Sequence, residues 1–145
     1  MTKEFVTRDQ AIGLKELGFN EPCLSVFRNH DPYFTGVISG YEEDIKDLPT
    51  NEILDAKFEA NETTKNYWIT RPSYHQAFRF FRENFKLFGE VSVIDIGNSD
   101  KKGYRFDWTT YDLTKVTGSS ELLGYYSYEE AESACLDELI KLAKK

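Results

Sequence analysis

The segment from Ser73 to Gly89 constrains this chain more than any other. At about 100° per residue, Tyr74, Ala77, Phe78, Phe81, Phe85 and Phe88 fall within one narrow sector. The spacing predicts a helix from Tyr74 to about Leu87, stopped by Gly89. A helix striped with aromatic carbon must lay that stripe against an apolar surface. Its start is marked by Ser73-Tyr74-His75-Gln76, which fits a capping box: the hydroxyl accepts from an orphan backbone N–H and the third residue on reaches back. The device recurs at Thr7-Arg8-Asp9-Gln10 and Ser127-Tyr128-Glu129-Glu130, and alanine follows each time, at Ala11, Ala77 and Ala131. Three helix starts are therefore expected.

The first helix should run from Arg8 to Leu17, with Ala11, Leu14 and Leu17 on one face, and end at Gly18 with Phe19 folding back on it. The last should run from Tyr128 to about Ala143, with glutamates at its start and lysines at its end, both suited to the helix dipole. Tyr104, Phe106 and Trp108 alternate with Arg105, Asp107 and Thr109, the period of a half-buried strand. The β-branched run from Val91 to Ile96 precedes it, and residues 97–103 form a turn-rich link, so a hairpin is expected. Cys23 to Arg28, Phe34 to Ile38 and Tyr67 to Thr70 are further strand candidates, with a turn at Asp31-Pro32. The expected class is α+β: a single antiparallel sheet with about three helices on one face. The Phe-striped helix is expected to pack on the Tyr104/Phe106/Trp108 strand. One domain should span residues 1–145, with 41–66 as an acidic loop or insertion, a short helix being allowed around Glu52 to Phe58.

Charge is distributed unevenly. The net charge of −7 disfavours a general binder of nucleic acid or anionic membranes. Residues 41–66 hold eight acids and three bases, whereas 71–105 hold seven bases and four acids. Met1-Thr2-Lys3-Glu4-Phe5 lacks the apolar stretch of a signal peptide, and no run approaches membrane-spanning length. Cys23 and Cys135 lie far apart without metal or redox spacing, which fits free buried thiols in a reducing compartment. A cytoplasmic protein is expected, and the Asn61-Glu62-Thr63 sequon is then a chance match.

Two surfaces emerge as candidates. His75, Arg79, Arg82 and Lys86 recur at helical spacing on one flank, about a quarter-turn from the Phe stripe. Such a row can grip phosphates or an acidic partner, or it can be a solvated flank or pair internally with the acidic segment. Glu42, Glu43, Asp44, Asp47, Glu52 and Asp55 form the acidic candidate surface. Catalytic signatures are missing. His30-Asp31 reads as turn chemistry, Gly118-Ser119-Ser120 is not a nucleophile elbow, and no phosphate-binding glycine motif occurs. The two histidines and two cysteines complete no zinc set, and Asp95 to Asp100 has the wrong ligand spacing for a calcium loop. No enzyme activity, cofactor or metal is expected.

Residues 71–89, 125–142 and 10–23 carry a resemblance. The Arg71-Pro72-Ser73-Tyr74-His75-Gln76-Ala77-Phe78-Arg79 stretch resembles a PTYQQAFRWFRE-like segment, and Tyr128-Glu129-Glu130-Ala131-Glu132-Ser133-Ala134-Cys135-Leu136 a YEEAELACL-like helix. Both are features of a group of uncharacterised small phage and mobile-element proteins of Bacteroidota. Ser73, His75 and Phe80 stand where that segment has Thr, Gln and Trp, swaps that keep the cap and the helix. The resemblance implies a phage setting and brings no catalytic residues. The resulting expectation is a non-enzymatic binding protein that contacts a host or phage protein, in its sharpest form an anti-CRISPR-like inhibitor of a defence nuclease. The alternative is an RNA- or DNA-binding accessory protein that uses the basic flank.

Overall fold

In the computed structural model, the residues described are 4–28, 35–37, 48–57, 68–95, 104–120 and 124–145. The chain forms two compact units, Met1–His75 and Gln76–Lys145. The α+β class holds, but among the described residues the strands make two three-stranded antiparallel sheets where a single sheet was expected. Alternation identifies strands without naming their partners. Pairing is decided by contacts between residues distant in sequence.

In the first unit, helix α1 (Arg8–Glu16) begins as expected. The Thr7 hydroxyl accepts from the Gln10 N–H at 3.3 Å, and the Gln10 side chain accepts from the Thr7 N–H at 2.9 Å. Two capped donors offset part of the cost of starting a helix. Its end is a Schellman turn: Phe19 N–H reaches the Leu14 carbonyl, Gly18 N–H reaches that of Lys15, and Gly18 takes φ +93°. Phe19 is buried beneath the turn.

Strand β1 (Ser25–Arg28) is central, flanked by β2 (Thr35–Val37) and β3 (Trp68–Arg71). Its register sets Val26 opposite Thr70 and Phe27 opposite Ile69. Helix α2 (Asn51–Lys57) occupies the short-helix position allowed within 41–66, and Thr50 accepts from the Ile53 N–H at its start. Both α1 and α2 lie on β3. Asn51, buried, ties them together: its amide donates to the Phe19 carbonyl at 2.8 Å and accepts from the Thr70 N–H at 3.0 Å. Arg71 is buried too, its Nε donating to the Val6 carbonyl while the guanidinium lies over the Phe27 and Phe5 rings.

Helix α3 (Tyr74–Asn84) starts where Ser73 predicts and spans the boundary between the units. It stops before the expected Leu87. Lys86 adopts φ +54°, and carbonyls of the last turn are taken by the Asn84 amide, bonded to Phe80, and the Lys86 ammonium, bonded to Glu83. Phe85 and Phe88 therefore lie beyond the helix, and the buried aromatics of α3 are Tyr74, Phe80 and Phe81.

The second unit holds β4 (Phe88–Asp95), β5 (Tyr104–Tyr111) and β6 (Val116–Ser119), in that order across the sheet. The β4/β5 hairpin is as expected, with Val91 opposite Trp108 and Val93 opposite Phe106. Strand β6 was not foreseen. Asp112 creates it by accepting from the Thr114 N–H, the Lys115 N–H and the Thr114 hydroxyl, which turns the chain back on β5. Tyr125 then exchanges two backbone bonds with Phe106 and prolongs the pairing.

Helix α4 (Tyr128–Ala143) has the expected bounds, and the Ser127 hydroxyl accepts from the Glu130 N–H at 3.2 Å. This helix lies across β4 and β5, so α4 fills the place expected for the Phe-striped helix. Gly89 explains how closely it sits. A Cβ there would lie 2.5 Å from Phe78 Cε1 and 2.7 Å from Cys135 Sγ. The residue expected to stop a helix instead lets helix and strand approach.

Candidate functional site

The basic flank lies on α3 and its C-terminal turn. His75 is exposed and closes the first unit; Arg79 and Arg82 are half-buried and Lys86 exposed, all in the second. Arg79 has interaction partners of its own, and Lys86 returns its ammonium to the helix end. Part of this row therefore serves the helix itself.

Of the acidic candidates, Glu42, Glu43, Asp44 and Asp47 lie outside the described residues, as do His30 and Asp31 and the turn at 97–103. Glu52 and Asp55 sit on α2 and face the end of α1. Asp55 pairs with Lys15 at 2.7 Å, while the Glu52 carboxylate accepts from the Asn20 amide at 3.1 Å and its N–H donates back to Asn20 at 2.9 Å. These two acids hold helices together within the first unit.

A surface that sequence reasoning missed lies on the second unit. Cross-strand partners share a face, so Val91 and Val93 with Trp108 and Phe106 look toward α4. On this face Val93 is 61% exposed and Tyr128 46% exposed. The Tyr128 ring meets Phe106 edge-on at 6.1 Å between centroids. One helical turn on, Glu132 is hydrogen-bonded to Tyr128, and burial holds both groups above their ordinary pKa. Residues 128–138 contain five carboxylates and no basic side chain. On the opposite face, the Arg105 guanidinium stacks on Tyr126, itself 75% exposed, at 4.2 Å. Tyr125-Tyr126-Ser127-Tyr128 was the available signal: three tyrosines crowded around a helix cap exceed what a cap requires. Alternation had placed Phe106 in a covered core, whereas α4 covers only part of that strand face.

Both cysteines are buried, and burial pushes each thiol up to about 12. Neither is a nucleophile near neutral pH. Among the described residues no group of His, Cys, Asp or Glu could hold a metal ion, and no helix is long and apolar enough to cross a membrane. The chain matches no family model, no curated protein and no solved structure, so its surfaces are read from their own chemistry.

Proposed function

We propose that this is a non-enzymatic binding protein of phage or mobile-element origin that acts in the cytoplasm by stoichiometric contact with a host protein. The observation that carries the reading is the exposed Val93/Tyr128 surface bordered by the carboxylates of α4. Exposed aromatic and aliphatic carbon beside fixed charge is the composition of protein interfaces, and a carboxylate border selects a basic partner. The channel of a defence nuclease is such a partner, since it must be basic to hold nucleic acid. The resemblance at 71–89 and 125–142 agrees with that setting. Tagged full-length protein should capture a nuclease or other defence component from host lysate. Capture of neither, with phage fitness unchanged on deletion, would refute the proposal.

A second reading rests on the exposure of His75 and Lys86 beside the half-exposed Arg79 and Arg82. A nucleic-acid-binding accessory protein using them should show affinity that falls steeply with salt, with a shallower slope after Arg79→Ala. Absent or salt-independent binding in a gel-shift series excludes it.

A further inference from the structure

The exposed surface at Val93 and Tyr128 is chemically selective. Val93 is the cross-strand partner of Phe106, the Phe106 ring meets Tyr128 edge-on, and Glu132 and Glu129 lie beside Tyr128. The apolar strip has no charge of its own to satisfy, and the carboxylates beside it repel phosphate. A guanidinium fits both halves: it stacks flat on a tyrosine ring and makes two parallel hydrogen bonds to a carboxylate. An ammonium offers a point charge without that planar, two-bond geometry. The same molecule uses the stacking half of this geometry internally, where the Arg105 guanidinium lies 4.2 Å from the Tyr126 ring centroid.

Resting on the reading of the chain as a binding protein, we infer that Val93, Phe106, Tyr128 and Glu132 seat an arginine of a partner protein together with an apolar side chain next to it. The arginine lies on Tyr128 and bonds Glu132, with Glu129 adding to the field. Its apolar neighbour covers Val93 and Phe106. Charge complementarity selects the occupant, because the first part of α4 supplies acids and no base. A nucleic acid is disfavoured at this place for the same reason.

The test is an NMR titration of the full-length protein with a capped hexapeptide centred on Leu-Arg, alongside peptides carrying citrulline or lysine in place of the arginine. The expected result is a shift of the Val93 methyl and Tyr128 ring signals with the arginine peptide and none with citrulline. Tyr128→Ala and Glu132→Gln, with amide dispersion showing that both fold, should each weaken binding about tenfold or more. Equal shifts with citrulline, shifts confined to other residues, or undiminished binding by both variants would overturn the inference. Affinity capture from host lysate separates the two levels. A partner held equally by wild type and Tyr128→Ala overturns the arginine seat and leaves the binding reading intact. Arginine-specific shifts at Val93 and Tyr128 without a captured defence component uphold the seat and count against the nuclease reading.

Discussion

Replacing Gly89 with alanine puts one methyl group where helix α4 and strand β4 have left no room. The new Cβ would lie 2.5 Å from Phe78 Cε1, 2.7 Å from Cys135 Sγ and 3.1 Å from Leu139 Cδ1. Carbon and sulfur atoms rest at about 3.5–4.0 Å, so two of the three neighbours must retreat by about 1 Å. Cys135 and Leu139 are fully buried on α4, and Gly89 is held by its pairing with Thr110, so relief requires movement of the helix or the ring. Overpacking of this kind costs about 1–3 kcal/mol, and the double clash places Gly89→Ala toward the upper end. The gain from a less flexible unfolded chain offsets at most about 1 kcal/mol of that. Urea unfolding followed by circular dichroism should show a lower midpoint with an unchanged slope, and melting should fall by several degrees, about 3–4 °C per kcal/mol at this chain length. Cys135→Ala removes one of the clashing atoms. In the Gly89→Ala background it should therefore cost at least about 1 kcal/mol less than in the wild type. Wild-type stability of Gly89→Ala, or strict additivity of the two substitutions, would show that helix and strand do not meet there as described.

Asn51→Ala should destabilise the first unit by about 2–4 kcal/mol, because it strands the buried Phe19 carbonyl and Thr70 N–H together; denaturant titration reads the loss directly. Cys23 and Cys135 should resist a thiol reagent at about pH 8 in the folded protein and react promptly once urea unfolds it, since burial raises both thiols to about 12. Prompt reaction without denaturant would contradict that burial. Burial raises the Glu132 carboxyl above its ordinary value, so its contribution to stability is fully present below the unfolded pKa and lost as pH rises through the folded one. Glu132→Gln, which cannot ionise, should gain stability relative to wild type between about pH 4 and pH 7, measured as melting temperature across that range. Lys86→Gly should stabilise the chain by about 1 kcal/mol by removing the Cβ from a left-handed position at φ +54°; a loss would mean that the ammonium bond to Glu83 outweighs the strain.

Much of the fold was legible where short-range hydrogen bonding decides it. Thr7 and Ser127 marked helix starts because each hydroxyl caps the residue three positions on, and Ser73 stands directly before the start of α3. Gly18 marked an end for the same reason. The stop expected at Gly89 failed because that glycine answers to Cys135 and Leu139, far along the chain. Strand β6 was missed because Val116 to Ser119 is short and its strand character comes from pairing with β5 after the Asp112 turn. The candidate surfaces fared unevenly. Helical spacing put Arg79, Arg82 and Lys86 on one helix, whereas Lys86 lies beyond its end at Asn84, and composition alone could not reveal that Glu52 and Asp55 are engaged with Asn20 and Lys15.

The Phe-rich segment from Ser73 to Gly89 shows where the division falls. Sequence by itself determined that it begins a helix at Tyr74 and that its aromatic side chains need cover, since caps and the 3.6-residue period act within a few residues. Only the tertiary structure decided that the helix ends at Asn84, that α4 covers β5, and that the strands divide into two sheets. It also decided that Val93 and Tyr128 stay exposed, because exposure depends on which distant surfaces meet, and no local pattern encodes where a covering helix stops.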